Sequence, residues 1–325
     1  MTEISVIIPA YNAKKTIKKC LECILSQDIN KKYEVIVVDD ASSDDTIKIV
    51  SNFPVKLIKQ KHQGPAKARN LGAKQSKGDI IVFTDSDCLP PKNWLKELIK
   101  PFSNPEIVGV SGTYRTMNKE SILARFEGYQ IEERHENMKK MERIDFVGTF
   151  NCAYRKKIFF KYGGFNTKFK TSSGEDPDLS FKISKDGYKI VFQNKAFVYH
   201  YHVDKLSKYL KQKFWRAYWR ILLYSSNKEK MTGDSYTSKS LLLQVLFTGL
   251  FILFFFLYFL NNYFIYLALI SLIFSISLNF STFLFLWKKE KMMPFFALPI
   301  LFLRDLVCVL GVLYGTLRIK KILNG

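Results

Sequence analysis

The 325-residue sequence predicts an α/β protein, a doubly wound and mostly parallel sheet followed by C-terminal transmembrane helices. Three observations carry this. Short apolar runs alternate with helical patterns of about a dozen residues through the first two hundred positions, as βαβ units require. The fully apolar run Ile80-Ile81-Val82-Phe83 reads as a strand buried on both faces, and it stops abruptly at Asp85-Ser86-Asp87 and the pair Pro90-Pro91. From Leu241 to Trp287 no charged residue occurs, which predicts membrane-embedded segments.

Taken in order, Ile4 to Pro9 reads as a first buried strand, Ala10 to Ala13 as a turn and Lys14 to Gln27 as an amphipathic helix. Tyr33 to Val38 forms a second strand, closed by Asp39-Asp40-Ala41-Ser42-Ser43-Asp44-Asp45-Thr46, whose oxygen-bearing side chains suit the N-terminus of a helix over Ile47 to Phe53. Val55 to Ile58 is strand three, and Pro65 to Gln75 is a helix entered through Gly64. Strand four is the run that ends at Asp85. Helix Asn93 to Phe102, strand Ile107 to Gly112 and a long charged helix from Ser121 to Glu142, suited to flank an acceptor cleft, follow.

Ligands of open α/β sheets bind beyond the carboxyl ends of the strands, where Asp85 and Asp87 fall. Two hard oxygen ligands on a short turn suit Mg²⁺ or Mn²⁺ with positions left for phosphate oxygens; the plainer reading of a lone Asp-x-Asp is ordinary turn chemistry. No G-x-G-x-x-G follows the first strand and no G-x-x-x-x-G-K-[ST] occurs, so dinucleotide oxidoreductases and P-loop enzymes are excluded. Asp39 and Asp40 are placed to accept hydrogen bonds from a base or ribose, Tyr11 to stack on a base and Arg69 to meet a phosphate; singly, each also suits a cap, a core aromatic or a solvated charge.

The net charge is +21, yet no nucleic-acid motif accompanies it, and the basic residues thicken beside the apolar segment. Eight Lys or Arg and the single acid Glu229 lie between Lys205 and Lys230. The partner this implies is a bilayer with anionic lipids rather than nucleic acid, with the preceding domain cytoplasmic in a multi-pass membrane protein. Five scattered cysteines argue for a reducing compartment, and Cys20-x-x-Cys23 reads as core packing rather than half of a zinc site. Ile4 to Pro9 is too short for the apolar core of a signal peptide, so none is expected.

Val6-Ile7-Ile8-Pro9-Ala10-Tyr11-Asn12, Val37 to Thr46, Gly64-Pro65-Ala66-Lys67-Ala68-Arg69-Asn70-Leu71-Gly72 and Asp85-Ser86-Asp87 resemble, in order and spacing, the successive motifs of the family 2 glycosyltransferases. The likeness continues to about residue 220. The resemblance implies a Rossmann-like, mostly parallel nucleotide-sugar fold of the glycosyltransferase A type, a divalent metal at Asp85 and Asp87, and transfer with inversion. On the family pattern Asp40 meets the base, Pro9, Ala10 and Tyr11 line the nucleotide pocket together with Asp39, Arg69 and Asp85, and Asp87 is the direct metal ligand. Phe146 to Arg155 and Gly163-Gly164-Phe165 resemble the acceptor-side segment.

Ser173-Gly174-Glu175-Asp176-Pro177-Asp178 reads in isolation as an acidic helix start with proline at the first position. The resemblance makes Glu175-Asp176 the pair that supplies a general base, with Asp176 in that role. A sugar hydroxyl needs such a base, whereas a polyprenyl phosphate is already anionic. In Val198-Tyr199-His200-Tyr201-His202 the resemblance implies a metal-side histidine, taken as His202 rather than His200; the alternation puts both on one face, where a structural role is also open. Gln212-Lys213-Phe214-Trp215-Arg216 departs from the Gln-x-x-Arg-Trp of processive members and favours single addition.

The expected organisation is a catalytic domain over 1–202, a basic interfacial helix and linker over 203–238, and a membrane region over 239–325 with spans at about 241–260, 263–287 and 294–317. The third segment is ambiguous. If it spans, Arg304 and Asp305 lie near mid-bilayer, as a site for a lipid diphosphate or as a mutual ion pair, and Arg318, Lys320 and Lys321 lie outside against the positive-inside bias; if it is re-entrant or interfacial, the tail stays inside. The expected partners are a nucleotide-diphosphate-sugar donor and a lipid-linked or glycan acceptor. Alternatives are a polyprenyl-phosphate sugar synthase and a catalytically silent nucleotide-binding membrane scaffold.

Overall fold

The computed structural model describes residues 2–169 and 174–324, without the side chains of 319–324; Ser173 of the acidic motif, and the side chains of Lys320 and Lys321, lie outside the described residues. The chain divides into two compact units, residues 1–119 with 135–202, and residues 120–134 with 203–325.

The first unit is built on one eight-stranded sheet. Its strands are β1 (Ile4–Ala10), β2 (Tyr33–Asp39), β3 (Lys56–Lys59), β4 (Ile80–Thr84), β5 (Cys88–Leu89), β6 (Ile107–Thr116), β7 (Asn151–Arg155) and β8 (Lys189–His200), in the order β3-β2-β1-β4-β7-β6-β8-β5. The first four are mutually parallel, and β6 and β8 are parallel to each other. Strand β7 runs antiparallel to both β4 and β6, so the sheet is mixed but mostly parallel, as expected of the A type.

Helices α1 (Ile17–Leu25), α2 (Thr46–Val50), α3 (Pro65–Lys74) and α4 (Trp94–Ile99) follow the parallel strands. The central strands are apolar because both their faces are covered: Ile4, Val6, Ile8, Val37 and Val82 pack with Ile17, Leu21, Trp94 and Leu98 in one core. Cys20 belongs to that core, and all five cysteines are free thiols. One buried amide stitches the sheet's mixed half together. Asn151 accepts from Trp94 Nε1 at 2.8 Å and donates to the carbonyls of Thr113 and Ala196 at 3.0 and 2.9 Å.

Beyond β6 come α5 (Ile122–Met138), α6 (Lys156–Lys161) and α7 (Glu175–Lys185). The long charged helix is thus shorter than expected, and its residues up to Arg134 belong to the second unit.

That unit adds α8 (Leu206–Ser226), α9 (Lys239–Leu257), α10 (Phe264–Ser277), α11 (Phe280–Lys289) and α12 (Met293–Asn324). Three stretches, Lys239–Leu257, Phe264–Lys289 and Met293–Arg318, are long and apolar enough to cross a membrane. The second of these is two helices, α10 and α11, divided at Leu278 and Asn279. Of the two readings open for Arg304 and Asp305, the structure has the ion pair: Arg304 Nη2 lies 2.7 Å from Asp305 Oδ1 and donates to Gln244 Oε1 of α9 at 2.7 Å. Both charges are buried, so each is the other's compensation.

Candidate active site

The register of the parallel strands sets Ala10 beside Asp39 and Ile7 beside Phe83, so Pro9 to Tyr11, Asp39-Asp40 and Asp85 to Asp87 emerge along the same carboxyl edge. Two residues there hold left-handed backbone without being glycine, Asn12 at φ 49° and Ala41 at φ 63°. Such conformations cost free energy and persist only where surrounding bonds fix them. Asn12 Oδ1 accepts from Ser43 N at 2.8 Å and Ala13 N donates to Thr46 Oγ1 at 2.8 Å, locking the two loops together.

Of the paired aspartates, Asp40 is buried and already committed. Its Oδ1 accepts from Gln60 Nε2 at 2.6 Å and from Gln63 N at 2.8 Å, and its Oδ2 accepts from Gly64 N at 2.9 Å with His62 Nδ1 3.0 Å away. These bonds shape the turn into α3, which Gly64 enters at φ 89°. Asp39, equally buried, accepts from Ser42 N at 3.0 Å through Oδ2, while its Oδ1 has no partner among the described residues. An orphaned buried acceptor beside an open edge is a binding group in wait of a donor. Above it Tyr11 is 50% exposed, its ring 4.4 Å from that of His62.

Arg69, a candidate for a phosphate or a solvated charge, faces inward on α3, 1% exposed, and its guanidinium donates to Asp85 Oδ1 at 2.7 Å and to Glu175 Oε1 at 3.2 Å. The reason is electrostatic: Glu175 is also buried at 1%, and Arg69 lies against it as a counter-charge. Burial works against the cation, yet the two carboxylates outweigh it and hold Arg69 charged. One residue therefore ties together α3, the end of β4 and the start of α7.

Asp176, next to Glu175, is half-buried, and Thr149 N points toward its Oδ2 at 3.4 Å. Burial and the adjacent Glu175 charge push its carboxyl up to about 7, with Arg69 opposing them. A carboxylate poised near neutrality is what a general base needs.

On the other side, β5 pairs with β8 so that Cys88 lies opposite His200. This brings His200 Nε2 to 3.3 Å from Asp87 Oδ2. His202 is buried beside it, ring centres 5.2 Å apart, and is held through its backbone by Asn118 at 3.0 Å. Burial raises the Asp87 carboxyl, but the hydrogen bond and charge of His200, with His202 behind it, bring it below the usual range. Tyr114 packs against both imidazoles, 4.8 and 5.7 Å between ring centres.

Asp85 and Asp87 are both partly exposed oxygen donors, the chemistry that Mg²⁺ or Mn²⁺ prefers. Among the described residues no group of three or more His, Cys, Asp or Glu is spaced to hold a metal ion. The pair fits an ion completed by phosphate oxygens and water rather than one caged by protein.

The sequence singled out neither His62 nor the inward turn of Arg69. His62 sits in the polar loop Lys61 to Gly64, which has no periodicity to mark it.

The family model described as glycosyl transferase family 2 matches residues 5–163. Glycosyltransferase AglE of Haloferax volcanii is 31% identical over 206 residues, 61% of this chain; the chain spans just under two thirds of that relative, 66%. A dolichyl N-acetyl-alpha-D-glucosaminyl phosphate 3-beta-D-2,3-diacetamido-2,3-dideoxy-beta-D-glucuronosyltransferase of Methanococcus voltae is 27% identical, over 65% of this chain and 71% of its own. Among solved structures, the mannosyltransferase PcManGT from Pyrobaculum calidifontis in complex with GDP-Man and Mn²⁺ superposes with a TM-score of 0.56 at 23% identity, covering 70% of this chain and 64% of its own.

Replacing Arg69 by Met should break a buried ion pair with Glu175 and a second with Asp85, and cost about 3–5 kcal/mol of stability. Chemical denaturation of the purified protein measures this; a variant as stable as the parent contradicts the clip.

Proposed function

Residues 5–163 make this chain a member of glycosyl transferase family 2, and from that premise we propose that it is a membrane-anchored, inverting glycosyltransferase. It moves a sugar from a nucleotide-diphosphate-sugar donor to a hydroxyl of a lipid-linked or cell-envelope glycan, with its catalytic unit on the cytoplasmic side. The single observation that carries the reading is the Arg69 clip. Asp85 and Glu175, some ninety residues apart in the sequence, share one guanidinium, with the Asp176 charge acting on it as well.

In this mechanism Pro9, Ala10 and Tyr11 line the nucleotide pocket, and Tyr11 with His62 offers an aromatic surface for the base. Asp39 Oδ1 accepts a hydrogen bond from the base, while Asp40 keeps the loop 60–64 in the shape that frames it. Arg69 acts on the donor only indirectly, by fixing the direction of Asp85. Asp85 and Asp87, with the histidine pair His200 and His202 behind them, would hold a divalent ion, Mg²⁺ or Mn²⁺. When bound, such an ion supplies positive charge to the departing diphosphate.

Asp176 takes the proton of the acceptor hydroxyl as that oxygen attacks the anomeric carbon from the face opposite the leaving group. Glu175 keeps Asp176 basic enough by like-charge repulsion, with the Arg69 charge opposing it. A base of this kind favours a hydroxyl acceptor over a polyprenyl phosphate, which needs none. The Methanococcus voltae relative, whose name states a lipid phosphate-linked sugar as acceptor, supports the same class.

Asp176→Asn should abolish transfer from labelled nucleotide sugars to a membrane lipid extract while leaving nucleotide binding measurable; full turnover in that variant rejects the base. Because the base works only when ionised, kcat/KM should fall as pH drops through about 7, and in Glu175→Gln, without the neighbouring charge, that limb should move to lower pH. A pH profile of both proteins distinguishes this from a structural role for Glu175. Chelation by EDTA should suppress transfer and weaken nucleotide-sugar binding, with Mg²⁺ or Mn²⁺ restoring both in titration calorimetry.

A further inference from the structure

Helices α9 and α10 pair antiparallel along their length. Ser240 Oγ and Gln244 Nε2 both donate to the Leu278 carbonyl at 2.9 Å, Thr248 meets Ser275 at 2.7 Å, and Phe254 stacks on Phe264. By Leu278 the chain is therefore back at the base of this hairpin, level with its entry at Ser240. Helix α11 starts only then; Leu286 joins an apolar cluster with α5, and polar partners flank it. Thr282 Oγ1 donates to Glu133 at 2.9 Å, Lys289 pairs with Glu132 at 2.6 Å, and Glu290 with Arg125 at 3.1 Å, all on α5. A helix bearing Arg125, Glu127, Glu132 and Glu133 does not belong in hydrocarbon.

Helix α12 begins on this same platform. Met293, Ala297, Ile300 and Leu301 pack with Leu123 and Phe126 of α5 and Tyr209 of α8. From there α12 runs parallel to α8 in close contact. Cys308 Sγ lies 3.9 Å from the Lys213 carbonyl oxygen, and a Cβ on Gly311 would come within 2.5 Å of the Phe214 carbonyl, one on Gly315 within 2.9 Å of that of Tyr218. Such an approach of backbones is possible only because both positions are glycine. The two helices thus share one depth. Helix α8 bears Lys208, Lys211 and Arg216 exposed, so α12 cannot cross the hydrocarbon without carrying three solvated cations in with it. Beside them the pair exposes an apolar stripe, Leu310, Leu313 and Leu317, on α12.

We infer that the chain crosses the bilayer only twice, through the α9–α10 hairpin, and that α8, α11 and α12 lie together as a raft in the interface on the side from which the chain enters. The apolar stripe faces the acyl chains, and the cations of α8 face anionic head groups. Asn261-Asn262 is then the only turn on the far side. Arg318 stays on the basic side, which removes the conflict with the positive-inside bias that a third crossing creates.

The full-length protein is tested with an epitope at its C-terminus and, separately, with one inserted between Asn261 and Asn262. Each is digested by protease in inverted vesicles and in right-side-out spheroplasts of a bacterial host. The expected result is loss of the C-terminal epitope only in inverted vesicles and of the 261–262 epitope only in spheroplasts. Loss of the C-terminal epitope in spheroplasts, or of both epitopes from one side, overturns the inference.

Discussion

The geometry of the first unit depends on a single buried cation. Arg69 stands between Asp85, which ends the fourth strand, and Glu175, which begins a helix some ninety residues further on, and it is the shared counter-charge of both. Removing two carboxylates and a guanidinium from water is expensive, and ion pairs of this kind seldom add net stability over an apolar replacement. What such a cluster supplies is direction. The planar fork of an arginine fixes two acceptors at once, which the point charge of a lysine does not do. Asp85 is then fixed at the carboxyl edge of the sheet, and Asp176 is held beside the same guanidinium by its neighbour.

The two acidic doublets divide labour in the same way. In each, one member is spent on the scaffold and the other is left to act: Asp40 organises a loop while Asp39 keeps an oxygen open, and Glu175 anchors a helix while Asp176 keeps a carboxyl near neutrality. Adjacent residues on a chain end point in different directions, so a doublet is an economical way to fix a backbone and present a functional group within one turn.

The parts legible in the sequence were those set by local pattern. Continuous apolar runs marked the parallel strands, and polar endings after Ala10, Asp39 and Thr84 marked the edge where the site lies. What could not be read depended on partners far along the chain. Nothing around Cys88-Leu89 announces a two-residue strand, yet its pairing with β8 decides which histidine meets Asp87. Arg69 looks like a surface residue of an amphipathic helix until the buried Glu175 is known. In the C-terminal region apolar content marks the hydrophobic stretches, but the division between α10 and α11 rests on the Leu278 carbonyl meeting Ser240 and Gln244, a long-range bond with no periodic signature.

The second unit is discontinuous, borrowing residues 120–134 from the midst of the sequence that builds the first. Glu127 of that borrowed piece is buried against Lys213 at 3.0 Å, and Leu123 and Phe126 are enclosed by α8 and α12. Severing the chain after His202 would therefore not release a clean water-soluble enzyme. It would strand a charged helix whose oily side had lost its cover, and a fragment made that way would invite aggregation for reasons unrelated to its chemistry.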